Sequence, residues 1–407
     1  MQGRNKYLLR LLEKRLADDI KNSQSVLLLG PRQTGKTTMI QRIIKSIDNK
    51  SEYYLQNPSV RLSLEANPGR IVGQIEAMSG KPLVFVDEAQ KIPAIFDAAQ
   101  FLIDKKTASF ILTGSSARKL RRKGANLLPG RVIKYRLDPL SWGELGLIEH
   151  SNIQALFAQN INENPQFSFS QSLVFGSLPG VVTAADKAGF LKSYSEIYVE
   201  EEIRAETLLR KIGAFSRFLE LAASESGTSP NLTKLSNESG VSVPSIKEFY
   251  QVLEDTLVVE RVDPFLKGAR KRILSSPRYY FFDLGVRNAL ARLPLTLGTV
   301  NTQKGILFEH AVVLEIIRRI RASDKNYKTY FWRTSGGAEV DLVLDLGDEV
   351  IPIEIKSSRS VSLSELRGLN SFLDEYKDIA KKAYVITMEG EKEKLSERIY
   401  TLPWHMM

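Results

Sequence analysis

The sequence predicts an α/β protein in three parts: a parallel-sheet domain over residues 1–150, a helical and winged helix-turn-helix region over 151–298, and a second α/β domain over 299–407. Three observations point there. In the first part, short apolar runs bounded by turn residues alternate with helical periodicity, the pattern of a parallel sheet covered on both faces. After Asp138-Pro139 the pattern turns to helices, and beyond about residue 300 strands and helices mix again. A length of 407 residues suits two or three such parts at roughly 150 residues each.

Taken in order, the chain opens with apolar residues at helical spacing over 5–21 (Leu8, Leu9, Leu12, Leu16, Ile20), an amphipathic helix. Val26-Leu-Leu-Leu29 ends at Gly30-Pro31 and reads as a buried strand, as do Leu83–Val86 and Phe110–Leu112. Helical spacing continues through 187–221, a polar turn follows at 227–230, and residues 232–263 give two short helices around Ser239-Gly240 and then the strand Leu257–Val262. Two helices, a glycine turn and a hairpin resemble a winged helix-turn-helix. Beyond residue 300 the expected order is a long helix (306–320), strands near 328–333, 339–344 and 350–356, a helix near 363–374 and a strand at 383–387.

Composition narrows the chemistry. Lys plus Arg number 57 against 47 Asp plus Glu, a formal charge of +10, and the 43% hydrophobic content excludes global disorder. With no cysteine, disulfide scaffolds, thiolate zinc sites, iron–sulfur clusters and cysteine nucleophiles drop out. His150, His310 and His405 lie far apart and form no H-E-x-x-H pair, so a metal here should be a hard cation on carboxylates. Neither a signal-peptide pattern nor an apolar span of about 18 residues occurs, so the expectation is a cytoplasmic protein without a membrane partner.

The basic excess sits in the first part, where residues 1–150 hold 25 basic and 14 acidic residues, against 16 and 16 over 151–300 and 16 and 17 beyond. Arg118, Lys119, Arg121, Arg122, Lys123, Arg131, Lys134 and Arg136 form one acid-free cluster, and Lys267, Arg270, Lys271, Arg272 and Arg278 form another. Each reads either as a solvated face or as a phosphate-binding surface. Two of them beside the motifs below favour the second reading, with Lys267, Arg270, Lys271 and Arg272, where the wing would lie, as the expected nucleic-acid contacts.

Gly30-Pro31-Arg32-Gln33-Thr34-Gly35-Lys36-Thr37-Thr38 satisfies G-x-x-x-x-G-K-[ST] between an expected strand and an expected helix, the context that a phosphate-binding loop requires. Its backbone N–H groups would close around the β-phosphate, Lys36 would reach the β- and γ-phosphates, and Thr37 would ligate Mg²⁺. Asp87-Glu88 ends an apolar strand, bringing Asp87 to the same metal and Glu88 toward the attacking water, so ATP and Mg²⁺ are the expected cofactors. Ser115, within Thr113-Gly-Ser-Ser116, either senses the γ-phosphate or caps a helix. Arg131, after Pro129-Gly130, is the expected arginine finger across a subunit boundary, with Arg118 second; the alternative for both is a plain basic surface.

These segments, followed by Leu140-Ser-Trp-Gly-Glu144, resemble in order a prokaryotic family of AAA+-like P-loop ATPases with a C-terminal domain of unknown function, over nearly the whole chain. The resemblance implies ATP binding and self-assembly into a homo-oligomer, a hexamer among the options. It also implies a winged helix followed by a nuclease-like fold of the PD-(D/E)XK type. Ala89 and Leu128-Pro129 depart from the family pattern without touching the phosphate chemistry, though the second weakens the finger assignment.

Glu339-Val-Asp341 and Glu354-Ile-Lys356 fit the two strands of a hairpin, with Glu354 and Lys356 on one face and Ile355 on the other. Asp341 and Glu354 with the Ile355 carbonyl would hold Mg²⁺, Lys356 would orient or activate water, and Glu309 on the preceding helix would add a ligand. That set cuts phosphodiesters. By spacing alone it suits a surface salt bridge as well, although Val340, Leu342, Val343, Ile351 and Ile353 argue against full exposure. His310 is expected to pack or hydrogen-bond.

The leading expectation is an oligomeric ATPase that binds or remodels DNA, branched or duplex, with a C-terminal domain that cuts or grips it. The alternatives are a nucleotide-controlled DNA-binding switch without cleavage and a signalling ATPase whose C-terminal domain binds proteins. Glu248, Glu254 and Asp255 disfavour base reading by the helix expected at 242–256.

Overall fold

The computed structural model describes residues 7–115, 128–148, 167–205, 212–266, 276–323, 325–359 and 361–407. Arg118, Lys119, Arg121, Arg122 and Lys123 of the first basic cluster, Ser116, His150, and the expected nucleic-acid contacts Lys267, Arg270, Lys271 and Arg272 lie outside the described residues. The chain divides into two compact units, one of Arg10–Asp138 with Gln251–Val258 and the other of the remaining residues.

The first unit is built on a parallel sheet of β1 (Val26–Leu29), β2 (Lys50–Tyr54), β3 (Leu83–Asp87), β4 (Ser109–Gly114) and β5 (Ile133–Arg136), in the order β2-β3-β4-β1-β5. Side chains alternate along a strand, so Val26 and Leu28 meet Leu12, Leu16 and Ile40 on one face. Leu27 and Leu29 meet Ile71, Ile95 and Phe96 on the other. The three central strands are wholly buried, whereas Lys50-Ser-Glu-Tyr-Tyr54 and Ile133-Lys-Tyr-Arg136 are edge strands with polar residues on them. Their mixed composition hid them from the sequence reading.

The second unit contains a mixed sheet in the order β12-β11-β10-β9-β8-β6-β7. Its strands are β6 (Val259–Pro264), β7 (Arg278–Phe281), β8 (Lys328–Arg333), β9 (Glu339–Asp345), β10 (Val350–Lys356), β11 (Ala383–Thr387) and β12 (Ile399–Pro403). The helix Gly298–Ala322 lays Leu307, Phe308 and Val312 on the face formed by Leu342, Ile353 and Ile355. The helix Arg367–Glu375 lays Leu369, Phe372 and Leu373 on the face formed by Val343, Val350 and Val385.

Three features differ from the sequence reading. The helices Leu232–Ser239 and Val243–Asp255 form around Gly240 (φ 69°), and β6 pairs antiparallel with β7, but β6 also pairs parallel with β8 through Asp263–Tyr330 and Pro264–Phe331. The hairpin is thus part of the C-terminal sheet rather than a separate wing. Leu140-Ser-Trp-Gly-Glu144 belongs to the second unit, where Ser141 and Glu144 make a reciprocal cap and Trp142 packs edge-on to Phe169 (5.4 Å) and Trp404 (5.2 Å). Arg278, expected on a basic surface, is only 7% exposed.

Candidate functional site

In a parallel sheet all strands end at one edge, so the residues following β1, β3 and β4 meet there. Gly30 closes β1 by donating its N–H to Gly114 O (3.2 Å). A Cβ on Gly30 would stand 2.3 Å from Leu137 O, so only glycine fits. Gln33 (φ 62°) and Gly35 (φ 90°) turn the loop into the helix Lys36–Ile43. Pro31 and Thr34 are buried, Arg32 is partly exposed, and Gln33 and Thr38 are exposed. Thr34 Oγ1 donates to Pro31 O (3.0 Å), and Lys36 Nζ donates to Gly30 O (2.8 Å) and Pro31 O (2.9 Å). Arg10, 6% exposed, braces the loop from outside the motif: Nη1 donates to Thr34 O (2.7 Å) and Nη2 to Asp138 O (2.6 Å).

From β3, Asp87 accepts from Thr37 Oγ1 on both oxygens (3.0 and 3.1 Å) and from Thr113 Oγ1 of β4 (2.6 Å). Burial pushes the Asp87 carboxyl up, and the two hydroxyls only partly offset it. Glu88 stands in the left-handed region (φ 58°), with its N–H donating to Thr113 Oγ1 (3.0 Å). Its carboxylate accepts from Ser115 Oγ (3.2 Å) and from Gln90 Nε2. Thr37 and Asp87 present adjacent hard oxygens, a donor set that fits Mg²⁺.

Arg131 is not part of this cluster. β5 runs parallel to β1 with Ile133 beside Val26, which puts Arg131 at the opposite edge of the sheet from the loop. There it pairs with Asp104 (2.7 Å).

The carboxylates of the C-terminal sheet do come together. β9 holds one extra residue against β8, since Tyr330 pairs with Val343 and Trp332 with Val340, and this bulge spans Asp341. Toward β10 the ladder stops at Leu342–Ile353, and Asp341 Oδ2 accepts the Ile355 N–H (2.9 Å). Glu354 pairs with Lys356 Nζ (2.8 Å), as two residues on one face should. Glu309 Oε1 accepts from Tyr280 OH (3.1 Å) and faces Arg278 Nη1 (3.6 Å). Arg278 lies over the Phe331 ring (4.7 Å) and also pairs with Glu339.

Burial, and then the charge of Asp341, push Glu309 and Glu354 each up to about 7. Burial likewise raises Asp341 against the Ile355 N–H, whereas Lys356 is raised because Glu354 and Asp341 outweigh its burial. With Glu309, Asp341 and Glu354 all ionised, the cluster would carry more negative charge than Arg278 and Lys356 offset, an excess that a hard cation would balance. Among the described residues, no three His, Asp or Glu side chains already stand as a metal-holding group. His310 packs as expected, with Nε2 donating to Phe281 O (2.8 Å) and its pKa pushed down to about 3 by burial.

Sequence reasoning missed Arg10, Gln90, Thr113 as a ligand-holder, and the Arg278–Tyr280 pair. Gln90 carried a signal, two positions after Glu88; Arg10 carried none, being 24 residues from its partner Thr34.

Residues 22–146 match the family described as an AAA domain, 166–297 match a domain of unknown function, DUF8612, and 304–407 match another, DUF4143. The first unit is accordingly an AAA-like P-loop domain. The chain is 26% identical over 396 residues to an uncharacterised protein of Mycobacterium tuberculosis, covering 96% of this chain and 82% of that one. It is 21% identical over 398 residues to an uncharacterised protein of Haemophilus influenzae, covering 93% and 92%. Among solved structures, a Walker-type ATPase of Pyrococcus abyssi overlaps with a TM-score of 0.44 at 12% identity, covering 70% of this chain and 97% of that one. No helix among the described residues is long and apolar enough to cross a membrane.

Proposed function

We propose that this chain is a Mg²⁺-dependent ATPase that assembles into a homo-oligomer and works on DNA, its second unit bringing a nuclease-like phosphodiester site. The observation that carries the ATPase reading is the hydrogen bond of Thr37 to both oxygens of Asp87, with Glu88 next in the chain. Thr37 and Asp87 would hold Mg²⁺, which offsets charge on the phosphate oxygens; Lys36 binds the β- and γ-phosphates, and Glu88 takes the proton of the attacking water. Lys36→Ala should abolish ATP hydrolysis, whereas Glu88→Gln should keep nucleotide and block turnover. A Glu88→Gln protein with the parental rate would falsify the base assignment.

Support for DNA as the partner comes from the net charge of +10 and the basic stretch Lys267–Arg272. Glu309, Asp341, Glu354 and Lys356 support cutting, with Lys356 orienting water beside the carboxylates. Each carboxylate already has a protein partner, and this favours a second reading in which the unit grips DNA without cutting. Labelled single-stranded, duplex and branched DNA, with ATP and Mg²⁺ varied, separates the two. Metal-dependent nicking that disappears in Asp341→Ala supports the first; tight binding without nicking supports the second. Indifference to DNA would leave a protein-binding signalling ATPase.

A further inference from the structure

We infer that Gln90 is the positioning residue that sets the working geometry of Glu88, an inference that rests on reading Glu88 as the water-activating group. Gln90 follows Glu88 by two positions in the short turn Ala89–Lys91 and is 4% exposed. Its Nε2 donates to Glu88 Oε2 and to Ser115 Oγ (3.1 Å), while Ser115 Oγ donates to the same Oε2 (3.2 Å). Each hydrogen has one acceptor: the amide supplies two, the hydroxyl supplies one and accepts one. Both donors converge on one carboxylate oxygen. Glu88 Oε1 takes no hydrogen bond among the described residues, so one oxygen is anchored and the other is free to receive a proton.

The anchoring continues through the backbone. Thr113, Gly114 and Ser115 are consecutive residues at the end of β4, and each serves Glu88 or its support. Thr113 Oγ1 accepts the Glu88 N–H (3.0 Å), holding a left-handed conformation that glutamate seldom adopts. A Cβ on Gly114 would stand 2.9 Å from Gln90 Oε1, so glycine makes the room in which the amide lies. Ser115 closes the ring on the side chain.

Among the described residues, Gln90 Oε1 itself has no hydrogen-bond partner. A buried amide oxygen without a donor costs stability, and an apolar side chain of similar shape would avoid that cost. The residue is therefore better suited to its Nε2 contacts than to the packing of the fold.

The test is Gln90→Met, which keeps the shape and removes both donors. Melting temperature should hold or rise, KM for ATP should stay within about twofold, and kcat should fall about tenfold or more. In the Glu88→Gln background, followed by single turnover, Gln90→Met should cost nothing further, because its effect passes through the Glu88 carboxylate. Parental kcat in Gln90→Met, or an equal loss in both backgrounds, would overturn the inference. Should Glu88→Gln alone turn over at the parental rate, the reading beneath it falls instead.

Discussion

Asp341 takes the place of a backbone carbonyl: its Oδ2 accepts the Ile355 N–H at 2.9 Å, where the ladder between β9 and β10 has ended at Leu342 and Ile353. The next residue across from Asp341 in that register is Glu354. A side chain thus holds the two strands together at the point where the carboxylates gather, and its charge is what raises Glu309 and Glu354 after burial.

That electrostatic strain has a pH signature. Burial and then the charge of Asp341 push Glu309 and Glu354 up to about 7 from the ordinary 4.5, so the folded state keeps protons that the unfolded state releases. Their contribution is fully present below about pH 4.5 and lost as pH rises through about 7, on the order of a few kcal/mol. His310, pushed down to about 3, acts with the opposite sign over the acidic part of that range. The measurement is therefore the difference in melting temperature between parental protein and Glu354→Gln, from pH 5 to 8. Glu354→Gln should gain relative stability toward pH 8, and parallel curves would contradict the assignment.

Arg278→Met should destabilise the second unit by about 1–3 kcal/mol, because Glu309 loses the cation beside it and Glu339 keeps only Arg333. Adding Glu309→Gln should return part of that loss in denaturant titrations. A double variant no more stable than Arg278→Met would show that packing on Phe331, rather than charge, is what Arg278 supplies.

Gly30→Ala places a methyl 2.3 Å from the Leu137 carbonyl, so either β1 or the segment after β5 must move. The expected cost is about 1–3 kcal/mol, together with loss of nucleotide binding in a fluorescent-ATP titration. Parental affinity would mean that the loop yields without changing its phosphate-facing N–H groups.

Arg131 lies at the sheet edge opposite the loop, so the proposed finger role requires that it act on the nucleotide of a neighbouring copy. Arg131→Ala should bind ATP normally and hydrolyse it slowly, and mixing it with Lys36→Ala should restore part of the rate, since some boundaries would hold one intact half from each. Co-assembled mixtures with no gain would remove Arg131 from the site and leave it as the partner of Asp104.

What the sequence by itself determined is local and periodic. The eight-residue loop Gly30–Thr37, Asp87-Glu88 at a strand end, and Glu354 and Lys356 on one face were all legible, because spacing along one strand or one turn sets them. Tertiary structure decided what depends on partners distant in the chain. β2 and β5 are strands because they pair at sheet edges, although their own residues mix polar with apolar. The β6–β7 hairpin joins the C-terminal sheet through two residue pairs with β8, and that single attachment belongs to the arrangement that brings Arg278 among Glu309, Glu339 and Asp341 instead of leaving it on a basic surface. Arg10 meets Thr34, and Arg131 falls at the far edge, for the same reason: strand order and register are set by burying several apolar faces at once, and no short window of sequence contains that constraint.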